Sequence, residues 1–289
     1  MQNQKVMFMT PPKVEIVELQ NLFFQLCTKT CNLKCKYCYI EKNPYKNEED
    51  FIHIDKIKES LMLMKGKKLN SIYLTGGEPL MHPDFNQILR MCLKISNTTI
   101  MSNGIMINDK KARFLRKIDD ESQFETIYRI SLDSTDEIEN DNLRGRGSFR
   151  KAVCAILSLL KYEFNPIISV VNYKNRTKEE IFDDFQKFFK KRDFEIEEIN
   201  LKILPYFPNN LEMNDFEENP DMEKYKNLDC TTSRIVCQNG VYSCPILAND
   251  YRARLGTSLD DCSNTTFLDC EKCSICLKYN LKNQVNDWM

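Results

Sequence analysis

The chain has 289 residues, a formal net charge of −1 and 42 % apolar residues, which suits one large domain, alone or with a small appendage, and leaves no cationic footprint for nucleic acid. No apolar run reaches the roughly 18 residues that a membrane helix needs. The start, MQNQKVMFMTPPK, has no charged segment followed by an apolar one, so no secretion signal is read and the expected compartment is the reducing cytoplasm.

Residues 1–19 read as an N-terminal extension. QNLFFQL (20–26) is an apolar strand that runs into the first cysteines, CTKTCNLKCKYC (27–38). HIDKIKESLMLMKG (53–66) has helical spacing and ends on a C-cap glycine, Gly66. SIYLTGGEPL (71–80) is a strand entering a Gly-Gly turn, and PDFNQILRMCLKI (83–95) is a helix with Pro83 in its first turn. TTIMSNG (98–104) is a strand and turn, NDKKARFLRKI (108–118) a helix and IYRISLDS (127–134) a strand. SFRKAVCAILSLLKYEF (148–164) is a helix with Ser148 as N-cap, followed by the strand PIISVVN (166–172). TKEEIFDDFQKFFKKRDF (177–194) is a helix opened by the capping box Thr177–Glu180, and EEINLKILPYF (197–207) is a strand.

Six strands alternating with five helices over 20–207 imply a parallel sheet, whose functional end is where the strands' C-terminal loops gather. Cys31–Cys38, Gly76–Glu78, Ser102–Gly104 and Ser131–Asp133 all fall at or just past strand ends, so they are expected to converge on one rim. The acidic, Asn-rich stretch 208–229 reads as a linker. Residues 230–289 are short and cysteine-dense, and a segment of about 60 residues seldom holds a core without a staple such as a metal.

Thirteen cysteines in a reducing compartment point to metal or redox chemistry and not to disulfides. Cys31, Cys35 and Cys38 form C-x3-C-x2-C on a loop that is free to curl, with the aromatic Tyr37 beside the point they face. Asn32, Lys34, Lys36 and Tyr39 make this loop too polar for three thiols acting as core hydrophobes. A zinc ion completed by a distant ligand and an iron–sulfur cube with one iron left over are both open on spacing alone.

CNLKCKYCY resembles the signature of the radical S-adenosylmethionine (SAM) enzymes. The resemblance implies that Cys31, Cys35 and Cys38 hold a [4Fe–4S] cluster whose open iron is chelated by SAM. It also implies that the reduced cluster cleaves SAM to a 5′-deoxyadenosyl radical, which abstracts hydrogen from a substrate. The implied fold is a partial (β/α)6 TIM-like barrel, in agreement with the strand count. TGGEPLMHPD resembles the family's GGEP motif, which puts the backbone and carboxylate of Gly76, Gly77 and Glu78 on the SAM amino group, with Pro79 fixing the turn. Ser102 and Asn103 match the SNG turn near the SAM ribose and methionine, and Ser131 and Asp133 the strand end that contacts ribose or carboxylate. NLRGRGSF (142–149) resembles a segment of the subfamily with auxiliary clusters and puts Arg144 on the SAM carboxylate. Asn172 and Leu204 are placed to line the ribose and adenine, with Tyr37 also beside the adenine. His82 reads as a loop residue, and Cys27, Cys92 and Cys154 as core.

The second cysteine group has two parts. CTTSRIVCQNGVYSCPIL supplies Cys230, Cys237 and Cys244, and its Asn239–Gly240 turn predicts a hairpin. DCSNTTFLDCEKCSIC supplies Cys262, Cys270, Cys273 and Cys276, and the C-x2-C-x2-C of the last three matches the opening of a bacterial ferredoxin run. The combination resembles the SPASM and Twitch auxiliary domains of the same superfamily, which hold two extra clusters and one, respectively. Seven cysteines fall short of two fully ligated cubes at four thiolates each. One auxiliary [4Fe–4S] cluster is therefore expected, with Cys244, Cys270 and Cys273 as ligands and Cys230, Cys237 or Cys276 as the fourth. Two clusters, or zinc, are the alternatives. A leftover thiol would be a hydrogen-atom donor to a substrate radical.

The resemblance implies an oxidoreductase that epimerises or crosslinks a ribosomally made peptide and draws electrons from a flavodoxin- or ferredoxin-type donor. About 20 residues precede the first strand, so a leader peptide would need the barrel itself or a separate leader-peptide-binding protein. The alternative is a small-molecule dehydrogenase or a cofactor-biosynthesis enzyme, although the ending NDWM lacks the C-terminal Gly-Gly of the molybdopterin-synthesis cyclase. An iron–sulfur electron carrier is the non-enzyme alternative, but it has no need of an open iron beside a GGEP turn.

Overall fold

The computed structural model describes residues 12–38, 40, 49–197, 200–206, 228–268, 273 and 276. A short strand β1 (Lys13–Glu15) lies in the stretch read as an N-terminal extension. The six expected strands follow as β2 (Asn21–Cys27), β3 (Ser71–Gly76), β4 (Thr98–Ser102), β5 (Thr126–Ser131), β6 (Ile167–Asn172) and β7 (Leu201–Pro205). They pair in chain order and in parallel. Parallel neighbours need crossovers, which are supplied by α1 (Ile54–Met64), α2 (Phe85–Cys92), α3 (Asp109–Asp120), α4 (Glu137–Arg144), α5 (Ser148–Lys161) and α6 (Lys178–Lys190). This is the expected partial (β/α)6 barrel.

The strands β2 and β3 are buried along their whole length, as strands covered on both faces are. Alternation along β2 sends Leu22, Phe24 and Leu26 into the core under the helices, where they meet Ile57, Ile88 and Leu115. The opposite face sends Phe23 inward, stacked on Tyr73 with ring centroids 4.3 Å apart. Among the described residues, no helix is long and apolar enough to cross a membrane.

Three local expectations change. Helix α4 was not read from the sequence. It begins at an Asp136 cap, whose carboxylate accepts the Glu139 N–H. Asp141 of α4 then caps the next helix by accepting the N–H groups of Gly147 and Phe149 and the Ser148 hydroxyl, so Gly147, not Ser148, is the N-cap of α5. Pro83 lies ahead of α2, which starts at Phe85 after Asp84. The Thr177–Glu180 capping box is present.

The cysteine-rich part continues the barrel's own sheet. The strand β8 (Ser233–Cys237) pairs in parallel with β2, on the side away from β3. It turns at Asn239–Gly240 into β9 (Gly240–Tyr242), and β10 (Arg254–Gly256) completes a nine-stranded order β10-β9-β8-β2-β3-β4-β5-β6-β7. A last strand, β11 (Thr265–Phe267), pairs antiparallel with β1, tying the N-terminal extension to the cysteine-rich part. The linker read at 208–229 lies outside the described residues up to 227, as does Cys270.

Candidate active site

After β2 ends at Cys27, the chain turns across the strand ends. The Asp50 carboxylate accepts the backbone N–H groups of Thr28 (3.1 Å), Lys29 and Thr30 (2.9 Å), and the Thr30 hydroxyl. Successive N–H groups wrapped on one anion form a nest, which fixes the approach to Cys31. The loop lies directly against the end of β3. Gly77 N–H donates to Cys27 O (2.9 Å) and Glu78 N–H to Thr30 O (3.1 Å). A Cβ on Gly77 would come within 3.0 Å of the Thr30 carbonyl carbon, and one on Gly76 (φ +131°) within 2.9 Å of Cys27 N. The glycine pair is what lets the cysteine loop approach this closely.

Glu78 is 0 % exposed, and its carboxylate accepts the Ser102 hydroxyl (2.9 Å) and the N–H groups of Asn103 (2.9 Å) and Leu80 (3.2 Å). Burial pushes its pKa above the ordinary carboxylate value, and these hydrogen bonds pull against that. The carboxylate is committed to the ends of β3 and β4. The backbone of 76–78 lies beside the cysteine loop. Asn103 extends the same network, donating to Asn32 Oδ1 (2.7 Å) and Cys31 Sγ (3.8 Å).

The far half of the loop is held by a buried ion pair. Arg144 Nη1 lies 3.2 Å from Asp133 Oδ2, with the two side chains 9 % and 0 % exposed. Tyr37 donates its hydroxyl to Asp133 and accepts from Arg144 at 2.6 Å. Burial, reinforced by Asp133 and opposed by Arg144, drives the Tyr37 phenol far above its ordinary pKa and keeps it a neutral donor. Asp133 also accepts the Val171 N–H (2.9 Å), while its own N–H goes to Asn140 (3.0 Å). The end of α4 takes up the cysteine loop directly. Lys36 N–H donates to Leu143 O (2.9 Å), and Cys35 Sγ lies 3.8 Å from Arg144 O.

Cys31, Cys35 and Cys38 are half-buried together on this loop. Burial pushes the Cys31 thiol up and that of Cys35 to about 11, and the neighbouring Cys38 and Cys31 add to the cost of ionising Cys35. Such thiols give up their protons when a cation takes their place. Among the described residues, no three Cys, His, Asp or Glu side chains are arranged to hold a single metal ion. Three thiolates from one loop suit a four-iron cube with one iron left open.

A cavity of about 1400 Å³, counting its open mouth, extends from this loop into the barrel. Tyr37, Phe23 and Leu204 line it together with Cys230, Cys244, Cys273 and Cys276. Burial pushes Cys230 to about 12 and Cys276 well above the ordinary thiol value, and each also feels Cys244.

Other expected residues lie elsewhere. Asn172 closes its own turn, donating to Arg176 O (2.7 Å) and accepting the Arg176 N–H (3.0 Å), and it lines a separate small cleft, not the main cavity. Ser131 ends β5 opposite Ser169. Cys237 is fully buried opposite Gly240 and is not among the residues that line the cavity. Cys262 donates to Leu259 O (3.4 Å). Cys27 and Cys92 are core, as read, but Cys154 is exposed. His82 is buried between the Ile52 carbonyl and the Asp84 N–H, each at 3.0 Å. The sequence reading missed Asp50, Asn32 and Asn140. Asp50 sits in the charge run EED, which is indistinguishable from solvated surface, and an asparagine next to a motif cysteine carries no local pattern.

The sequence profile of the radical SAM superfamily matches residues 26–188. The chain is 31 % identical over 135 residues to the antilisterial bacteriocin subtilosin biosynthesis protein AlbA of Bacillus subtilis, covering 46 % of this chain and 29 % of AlbA. It is 30 % identical over 186 residues to GTP 3′,8-cyclase of Listeria welshimeri, covering 63 % of this chain and 52 % of the cyclase. The chain thus spans from under a third to about half of the length of these relatives. Among solved structures, anSMEcpe with bound AdoMet and Cp18Cys peptide aligns with a TM-score of 0.60 at 17 % identity, covering 91 % of this chain and 83 % of that one. Streptococcus suis SuiB bound to precursor peptide SuiA aligns with a TM-score of 0.61 at 16 % identity, covering 86 % of this chain and 64 % of that one. At such identities the likeness is one of fold.

Proposed function

The chain belongs to the radical SAM superfamily, and from that premise we propose that it is an enzyme that modifies a peptide by hydrogen abstraction. Its cofactors are SAM and a [4Fe–4S] cluster. When bound and reduced, the cluster supplies the electron that cleaves SAM, and the resulting 5′-deoxyadenosyl radical takes the substrate hydrogen. In this reading Cys31, Cys35 and Cys38 hold the cluster. The backbone of Gly76–Glu78 and the guanidinium of Arg144 receive the amino and carboxylate ends of SAM, and Tyr37 keeps the loop in register. Cys230, Cys244, Cys273 and Cys276 hold one auxiliary cluster. The electron donor is of flavodoxin or ferredoxin type, and a leader peptide is presented by the barrel or by a separate binding protein.

The observation that carries this reading is the cavity lined by Tyr37 of the cysteine loop together with Cys230, Cys244, Cys273 and Cys276. Its mainly apolar wall suits a radical that has to be kept from water. The similarity to AlbA supports the same substrate class. The test is anaerobic loading with iron and sulfide, reduction, and addition of SAM with short peptides encoded beside the gene. Formation of 5′-deoxyadenosine is expected, together with a peptide that loses two hydrogens or exchanges deuterium from D2O. A loaded protein that makes no 5′-deoxyadenosine sinks the enzyme reading. The similarity to GTP 3′,8-cyclase favours a second reading, a nucleotide substrate in cofactor biosynthesis. SAM-dependent consumption of GTP with peptides left unchanged would establish it over the first.

A further inference from the structure

The wall that carries Cys230, Cys244, Cys273 and Cys276 also carries two hydroxyls without partners. Ser243, next to Cys244, is 0 % exposed, and its Oγ meets no hydrogen-bonding group. Thr266, in β11, is 2 % exposed, and its Oγ1 is equally orphaned. Both residues line the same cavity as the four thiols. A buried hydroxyl that forfeits water without finding a partner is disfavoured, and native proteins keep few of them. Neither hydroxyl is needed by the fold. The backbone N–H of Ser243 is already bonded to Ala253 O at 3.1 Å, and Thr266 stands opposite Val14 in an apolar cluster where valine would pack as well.

We propose that Ser243 and Thr266 donate their hydroxyls to sulfurs of the auxiliary iron–sulfur cluster and raise its reduction potential. The inference rests on the auxiliary cluster proposed above. Reduction adds negative charge to the cluster sulfurs, so a donated hydrogen bond stabilises the reduced state more than the oxidised one. The pair therefore tunes the cluster and does not ligate it.

The test isolates the second cluster in a Cys31→Ala/Cys35→Ala/Cys38→Ala background of the full chain. Ser243→Ala, Thr266→Val and their combination are loaded with iron and sulfide, assayed for both elements, and titrated by EPR-monitored reduction. The double variant is expected to keep the iron of the background and to shift the reduction equilibrium about tenfold toward the oxidised form, about 59 mV for one electron. Thr266→Ser and Ser243→Thr keep the donors and are expected to titrate like the background. An unmoved potential at full iron content overturns the inference alone. A background protein that binds no iron overturns the auxiliary-cluster reading and this inference with it.

Discussion

Alanine at Gly77 perturbs the site by one methyl group. Gly77 is not in the left-handed region, so any residue can adopt its backbone conformation and the effect is purely steric. The new Cβ would sit 3.0 Å from the Thr30 carbonyl carbon, closer still to the carbonyl oxygen, and 3.2 Å from Cys31 Cβ. Carbon atoms in good contact stand about 3.5–4.0 Å apart, so the loop must retreat by between about half an ångström and 1 Å. None of the three neighbours can rotate away, since all are backbone atoms or a Cβ. Asp50 and the end of α4 grip the loop on either side, so the displacement falls on Cys31. Overpacking of this kind costs about 1–3 kcal/mol. A displacement of about 1 Å at a reacting group costs about 100-fold in rate, equivalent to about 2.7 kcal/mol. The assay is the rate of 5′-deoxyadenosine formation per bound cluster, with urea unfolding of the metal-free protein alongside. Expected are a lowered urea midpoint and a rate about 100-fold below the parent. A Gly77→Ala protein with parental iron content, rate and midpoint would refute the claim that this glycine sets the loop's position.

Three further outcomes follow from the same geometry. Asp50→Asn takes the charge out of the nest over Thr28–Thr30 and should lower unfolding stability by about 1.5–3 kcal/mol, read by urea titration, with weaker iron retention at the first cluster only. The Cys35 thiol is raised from 9.0 to about 11, so it stays neutral in the folded state after its unfolded counterpart has ionised. Its contribution to stability is therefore complete below about pH 9 and lost as pH rises toward about 11, and metal-free Cys35→Ala should lose less stability than the parent across that window. Cys237→Ala should leave iron content unchanged while costing about 1 kcal/mol from the buried sheet, whereas Cys230→Ala should lose the auxiliary iron, both read by iron assay and urea titration.

The parallel strands and five of the six crossover helices were legible because apolar period, caps and turn glycines all agree along them. Helix α4 was not, since Ile138 and Leu143 are its only apolar residues. It is held by polar bonds that only the fold creates, such as Asn140 to the Asp133 N–H and to Ser148 Oγ, each at 3.0 Å. The join between β8 and β2 links residues more than 200 apart in sequence, and no local pattern announces it. The site motifs were legible as positions but not as partners. Glu78 and Asn103 do lie beside the cysteine loop, yet the carboxylate faces the β4 turn, and Asn172, also at a strand end, turns its amide back on Arg176.

The cysteine loop itself explains why so many polar groups surround it. Between Thr28 and Cys38 its apolar or aromatic side chains apart from the cysteines are Leu33 and Tyr37, too few to hold it by burial. It is fixed instead by three electrostatic anchors: Asp50 before it, the Glu78–Asn103 network under Cys31, and the Asp133–Arg144 pair behind Cys35 and Tyr37. The second and third anchors come from the ends of β3, β4 and β5, and the parallel order of the sheet is what brings those ends to one rim. A buried pair such as Asp133–Arg144 is costly to break and therefore fixes geometry. The course of the loop is thus set by groups that the folded barrel supplies.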